Sequence, residues 1–129
     1  MVMVDTSLWI DYFNGQHNIY TDKLDALLAE DFVVIGDIIL AEILQGFRED
    51  AHFDQAKAAL DNLKCFSITN KILAIQSAMN FRMLRKKGIT VRKTTDILIG
   101  TFCIENQIPL LYNDRDFDPM VEHLGLIQA

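Results

Sequence analysis

The sequence predicts an α/β fold, a sandwich built around a mostly parallel sheet, in a single domain over residues 1–129. Three observations carry this reading. Short apolar stretches, rich in β-branched or aromatic residues and bounded by Asp, Gly, Asn or Pro, recur along the chain. Between them lie segments whose apolar residues fall at helical spacing. Strands that alternate with helices give parallel pairing, and right-handed crossovers then bring helix N-termini beside the carboxyl ends of the strands, where ligands bind in such folds.

Val2–Val4 reads as the first strand, followed by a helical pattern through Phe13. Leu24, Leu27 and Leu28 keep i, i+3, i+4 spacing and mark the next helix. Phe32–Ile35 is the second strand and leads into an apolar helix around Ile38–Leu44. Cys65–Ile68 is the third. Ile72, Ile75, Met79 and Met83 repeat at helical spacing across Lys71–Lys87, which ends on Arg85-Lys86-Lys87 and a C′ glycine, Gly88. Ile97–Ile104 is apolar nearly all round apart from Gly100 and Thr101, so that helix should be buried on several sides. Leu110–Tyr112 is the fourth strand, and Leu126–Ile127 can add a fifth. Only two prolines occur and no stretch is rich in Gly, Ser or Pro, so no linker divides the chain.

With 129 residues, half of them hydrophobic and 23% charged, the chain has the composition of a globular domain large enough to bury a core. Cys65 and Cys103 lie in apolar surroundings and read as two buried free thiols. His17, His52 and His123 show no zinc-ligand spacing. No segment approaches the ~20 apolar residues of a membrane span, and the N-terminus lacks a signal-peptide pattern, so the expectation is a cytoplasmic protein. The net charge of −6 argues at first against a nucleic-acid partner.

The acids at strand-to-helix junctions carry the chemistry. Asp5 follows the first strand and Asp37 the second, and each suits a helix N-cap. Glu42 lies one turn into its helix and forms an i, i+3, i+7 polar stripe with Gln45 and Glu49, which also suits an exposed face. Asp96 opens the buried helix, where the macrodipole favours a carboxylate. Asp114 and Asp116 follow the fourth strand and suit Asx turns. Taken together the acids say more. In a parallel sheet Asp5, Glu42, Asp96 and Asp114 converge from four segments on one edge, where they repel unless a cation neutralises them. Oxygen-only ligands suit Mg²⁺ or Mn²⁺, and such an ion can orient a phosphodiester and generate hydroxide from water.

At these residues the sequence resembles the PIN-domain ribonucleases, and more narrowly the VapC-type toxins of prokaryotic toxin–antitoxin systems. The matching stretches are Met3-Val4-Asp5-Thr6-Ser7, Leu40-Ala41-Glu42-Ile43-Leu44-Gln45-Gly46, Thr95-Asp96-Ile97-Leu98-Ile99-Gly100 and Leu111-Tyr112-Asn113-Asp114-Arg115-Asp116-Phe117. The resemblance implies a three-layer α/β/α sandwich, commonly a homodimer, whose acidic pocket holds Mg²⁺ or Mn²⁺ and cleaves RNA. It makes Asp5, Glu42, Asp96 and Asp114 the catalytic acids, with Asp5, Asp96 and Asp114 as metal ligands. Asp116 is the alternative fourth acid. Thr6, Ser7 and Asn113 can hydrogen-bond the carboxylates or a metal-bound water. Asp37 stands where family members often carry Ser or Thr.

The resemblance also implies an antitoxin whose tail covers an apolar groove. Trp9 and Phe13 suit that groove or the dimer interface, and equally the core. Arg82, Arg85, Lys86, Lys87, Arg92 and Lys93 are half of the twelve basic residues and lie in one acid-free window. That window carries +6, which leaves −12 on the rest of the chain, so the acidic average does not exclude RNA. The window reads either as a solvated helix end or as a phosphate-contacting rim beside Asp96. Two other functions fit an acidic α/β domain, a receiver-type phosphoacceptor module and a catalytically silent PIN-like binding domain.

Overall fold

Four strands form where the apolar stretches lie. In the computed structural model, which describes residues 1–129, β1 is Val2–Val4, β2 Val33–Gly36, β3 Lys64–Phe66 and β4 Leu110–Leu111. They pair in the order β3-β2-β1-β4, and every pairing is parallel. Each connection must therefore cross over, and helices do so: α1 (Thr6–Phe13) and α2 (Ile19–Ala29), then α3 (Asp37–Gln45) and α4 (Asp50–Leu60), then α5 (Lys71–Lys86) and α6 (Thr94–Asn106). A 3₁₀ turn at Arg115–Phe117 and α7 (Asp118–Leu124) close the chain. Every residue of β2 is buried, so helices cover both faces of the sheet and the fold is a three-layer α/β/α sandwich.

The strand order positions the site. The sheet grows outward from β1 through β2 to β3, then β4 returns to the other side of β1. The order reverses between β1 and β4, and such a reversal opens a crevice beyond the strands' carboxyl ends.

The expected fifth strand at Leu126–Ile127 does not form. Gly125 is left-handed at the end of α7, and the Leu126 amide is committed to the Met120 carbonyl at 3.2 Å. What remains is a single parallel bridge between Leu110 and Gln128.

Helix α5 ends as expected. Gly88 takes φ +80°, its amide bonds the Arg85 carbonyl, and the Ile89 amide bonds the Leu84 carbonyl, which is the Schellman closure. Its faces are another matter. The apolar row Ile72, Ile75, Met79 and Met83 points to solvent, at 47% to 83% exposure. The buried row is Leu73, Ser77, Asn80 and Leu84, half of it polar. Asn80 is accommodated because its Nδ2 donates to Thr101 Oγ1 on α6 at 3.1 Å, while Gln76 Nε2 donates to Asn80 Oδ1 at 3.1 Å. Helix α6 is buried on several sides, and a Cβ at Gly100 would collide with the Met120 thioether.

One open alternative closes and one expectation changes. Trp9 belongs to the core, almost wholly buried and stacked on Phe13 with ring centroids 5.8 Å apart. Both cysteines are free, but only Cys103 is buried. Cys65 is exposed because β3 is the sheet's edge strand, paired with β2 alone. No helix is long and apolar enough to cross a membrane.

Candidate active site

The Asp5 amide donates to the Leu111 carbonyl at 3.0 Å, which fixes the end of β1 beside β4 at the crevice. Asp5 occupies the N-cap position of α1, yet its side chain makes no capping bond and instead accepts the Ser7 hydroxyl at 2.8 Å. Thr6 Oγ1 donates to Glu42 Oε1 at 2.8 Å, so the first turn of α1 holds a carboxylate that projects from α3. Asp96 lies in the first turn of α6, which runs toward β4 and so starts at the carboxyl edge of the sheet. Asp114, beyond β4, accepts the Asp116 amide at 2.9 Å and starts the 3₁₀ turn.

These side chains share one cavity of about 180 Å³, lined by Asp5, Thr6, Ser7, Glu42, Asp96 and Asp114 together with Gln45 and Lys93. The fold thus brings together four acids expected from sequence and both hydroxyls, Thr6 and Ser7. Asn113 is placed elsewhere. It is exposed and lines a separate cavity with Tyr20 and Asp118, because the chain turns outward between Tyr112 and Asp114. Asp37 does not cap α3 from the N-cap position, which Gly36 occupies. Its Oδ1 accepts the amides of Ile38 and Ile68, at 2.8 and 3.0 Å, and ties the loop after β3 to α3.

The site's electrostatics are unfavourable for the protein alone. Asp96 is 6% exposed, and its Oδ2 has no hydrogen-bond partner. Burial, reinforced by the charges of Asp5 and Asp114, pushes its carboxyl up to about 7. Burial also raises Asp5, against the opposing Ser7 hydrogen bond. Lys93 is the cavity's one cation and forms no ion pair within 4.0 Å. Converging carboxylates with an orphaned buried oxygen form an all-oxygen donor set suited to a hard divalent cation. The carboxylate oxygens of Asp96, Asp114 and Asp116 also lie within 4.8 Å of one another, which makes Asp116 a geometric candidate as well.

Asp116 already has a cationic partner. Arg92 Nε donates to its Oδ2 at 3.2 Å and Arg92 Nη2 to its Oδ1 at 3.1 Å. Nothing in the sequence announced this pair, whose members stand 24 positions apart in separate segments. Gln45, a further lining residue, was legible only as part of a polar stripe. Of the basic window, Lys93 lines the cavity, and Arg92 comes to its edge through Asp116, whose carboxylate lies within 4.8 Å of the Asp96 and Asp114 oxygens. Arg82, Arg85, Lys86 and Lys87 are exposed around the end of α5 and do not line the cavity.

Known proteins share this architecture. Ribonuclease VapC11 of Mycobacterium tuberculosis is 29% identical over 131 aligned positions, covering 100% of this chain and 97% of its own length. In the crystal structure of VapBC2 from Rickettsia felis, bound to a promoter DNA fragment, one chain superposes with a TM-score of 0.76 at 20% identity, covering 100% of this chain and 98% of that one. A chain of a toxin–antitoxin complex from Klebsiella pneumoniae gives 0.69 at 18% identity, with 99% and 97% covered. The PIN domain family model matches residues 2–121. That span contains all four strands and every acid of the cavity, and it sets aside the receiver-type alternative. By sequence and by fold, this chain belongs to the PIN domain family.

Proposed function

We propose that the protein is a metal-dependent endoribonuclease and the toxin of a toxin–antitoxin pair. One observation carries the reading above all. Asp96 is buried with an unpartnered oxygen among carboxylates that repel it, an arrangement a divalent cation would stabilise. A purely binding PIN-like domain has no use for that cost.

Asp5, Asp96 and Asp114 would hold the ion, Mg²⁺ or Mn²⁺, and Ser7 would orient the Asp5 carboxylate. When bound, the ion supplies Lewis acidity, polarising a phosphodiester and acidifying an attacking water. Glu42 is held by Thr6 through Oε1, its Oε2 makes no hydrogen bond, and it would serve as the base that accepts a proton from the attacking water. The name of VapC11 supports RNA as the substrate class, and the VapBC and toxin–antitoxin neighbours support a protein antitoxin as partner. The cavity of about 530 Å³ lined by Phe13, Phe47 and Ala56 together with Asn14, His52 and Gln55 offers that antitoxin a mixed apolar and polar seat. A second copy of the chain would cover the exposed row on α5, since a contiguous row of large apolar side chains, unlike scattered ones, marks an interface.

The test is cleavage of labelled RNA with Mg²⁺ or Mn²⁺, with and without chelator. Chelation should abolish cleavage, and Asp5→Asn and Asp96→Asn should each lower it by roughly two orders of magnitude or more. Cleavage that persists in chelator, or full activity in both variants, would overturn the reading.

A further inference from the structure

Arg92 lies in the link between α5 and α6 with its side chain 77% exposed, yet its guanidinium is fixed in direction by the two bonds to Asp116. The holder is rigid. Asp116 is only 21% exposed and sits in a 3₁₀ turn anchored by the fully buried Phe117 on one side and the Asp114 cap on the other.

A guanidinium has five N–H groups. The fork spends two of them, along the Nε–Nη2 edge. Three remain, two on Nη1 and one on Nη2, so the terminal edge is free and open to solvent. That edge has the geometry for a second bidentate contact, and phosphate oxygens are its natural acceptors. Its place suits the role, because the Asp116 carboxylate lies within 4.8 Å of the Asp96 and Asp114 oxygens. Neither member of the pair lines the cavity itself, which places both at its edge, and both oxygens of Asp116 are engaged by Arg92.

We propose that Arg92 clamps a phosphate of the RNA strand at the lip of the acidic cavity, and that Asp116 is the positioning residue that aims it rather than a metal ligand. This rests on the nuclease reading above and gives the fourth-acid role in that reading to Asp114. Lys93, inside the cavity without an ion-pair partner, supplies an undirected charge beside the directed one.

The sign of one effect separates aiming from bulk charge. Removing the Asp116 charge makes the rim more positive, so simple electrostatics predicts tighter RNA binding for Asp116→Asn. Loss of aim predicts weaker binding. The measurements are fluorescence anisotropy of a labelled single-stranded oligoribonucleotide in chelator, and Mn²⁺ titration of the protein without RNA. Asp116→Asn and Arg92→Ala should each weaken RNA binding about fivefold to tenfold, and the double variant no further, since the pair acts as one unit. Asp116→Glu should recover part of the loss, while Arg92→Lys, which cannot fork, should not. Mn²⁺ affinity should stay within about twofold of wild type in Asp116→Asn and collapse in Asp96→Asn. Tighter RNA binding by Asp116→Asn, RNA binding by Arg92→Ala at the wild-type level, or loss of Mn²⁺ affinity in Asp116→Asn to match Asp96→Asn would each overturn the proposal while wild-type cleavage leaves the nuclease reading intact. Wild-type protein that neither binds nor cleaves RNA would overturn both.

Discussion

Asp96 concentrates the site's cost in one side chain. Its carboxyl titrates near 3.8 in an unfolded chain and at about 7 in the folded protein, through burial first and the charges of Asp5 and Asp114 second. Below the lower value both states hold the proton, and the residue does not oppose folding. As pH rises from 3.8 toward 7 the unfolded chain ionises first, so stability is lost across that window and the loss levels off above it. Thermal melts in chelator should therefore show Asp96→Asn more stable than wild type at pH 8, with the difference shrinking to near zero as pH falls below 3.8. Excess Mn²⁺ should reverse the order at pH 8, because only the wild type gains from binding. An Asn variant that is equally displaced at pH 8 and below pH 3.8 would show that the buried charge is not the source. The identity of this residue was legible in the sequence because the strands and helices around it were, and a carboxylate at a helix start after a basic stretch has few other places to point. Its missing hydrogen-bond partner was not legible, since that depends on what the other segments lining the cavity leave unfilled.

At the scale of elements, α5 shows where pattern succeeds and where it fails. Periodicity located the helix, its end and its glycine closure, because those depend on local backbone geometry. It did not say which of two rows faces inward. Ser77 and Asn80 look like surface residues, yet Thr101 on α6 gives Asn80 a buried partner, and the more apolar row is left outside. β1, β2 and β4 were legible for a related reason, since parallel strands covered on both faces are continuous apolar runs. The edge strand β3, Lys64–Phe66, is largely exposed and starts and ends earlier than the apolar stretch Cys65–Ile68. Helix α4 was not legible, because Ala56 and Leu60 are its only buried residues and its apolar positions are mostly alanine, with no periodic row of large side chains. The exposed row on α5 yields a sharp expectation. Sedimentation velocity should find wild type as a dimer, with Ile75→Asp and Met79→Asp shifting it to monomer while circular dichroism stays unchanged, because both positions are more than half exposed. A monomeric wild type would remove the second copy from that face.

Across the whole molecule, charge is separated more finely than the sequence suggested. The window of +6 against a remainder of −12 divides again in three dimensions. Lys93 lines the cavity and Arg92 stands at its edge, bound to Asp116, whereas Arg82, Arg85, Lys86 and Lys87 are exposed around the end of α5 and do not line it. The helix dipole alone accounts for cations in that last turn, so their presence does not establish binding to a substrate. Salt dependence separates the two roles. Each single-strand phosphate that a protein no longer neutralises lowers the slope of log affinity against log salt by roughly 0.7. If the strand extends from the cavity across the end of α5, replacing Arg85, Lys86 and Lys87 with Glu should reduce that slope by about 2 and weaken binding at low salt, with Mn²⁺ affinity unaffected. If slope and affinity both hold, these three residues serve the helix end alone. The RNA footprint then shrinks to the pair at the cavity, where Arg92 is aimed by Asp116 and Lys93 stands among the acids.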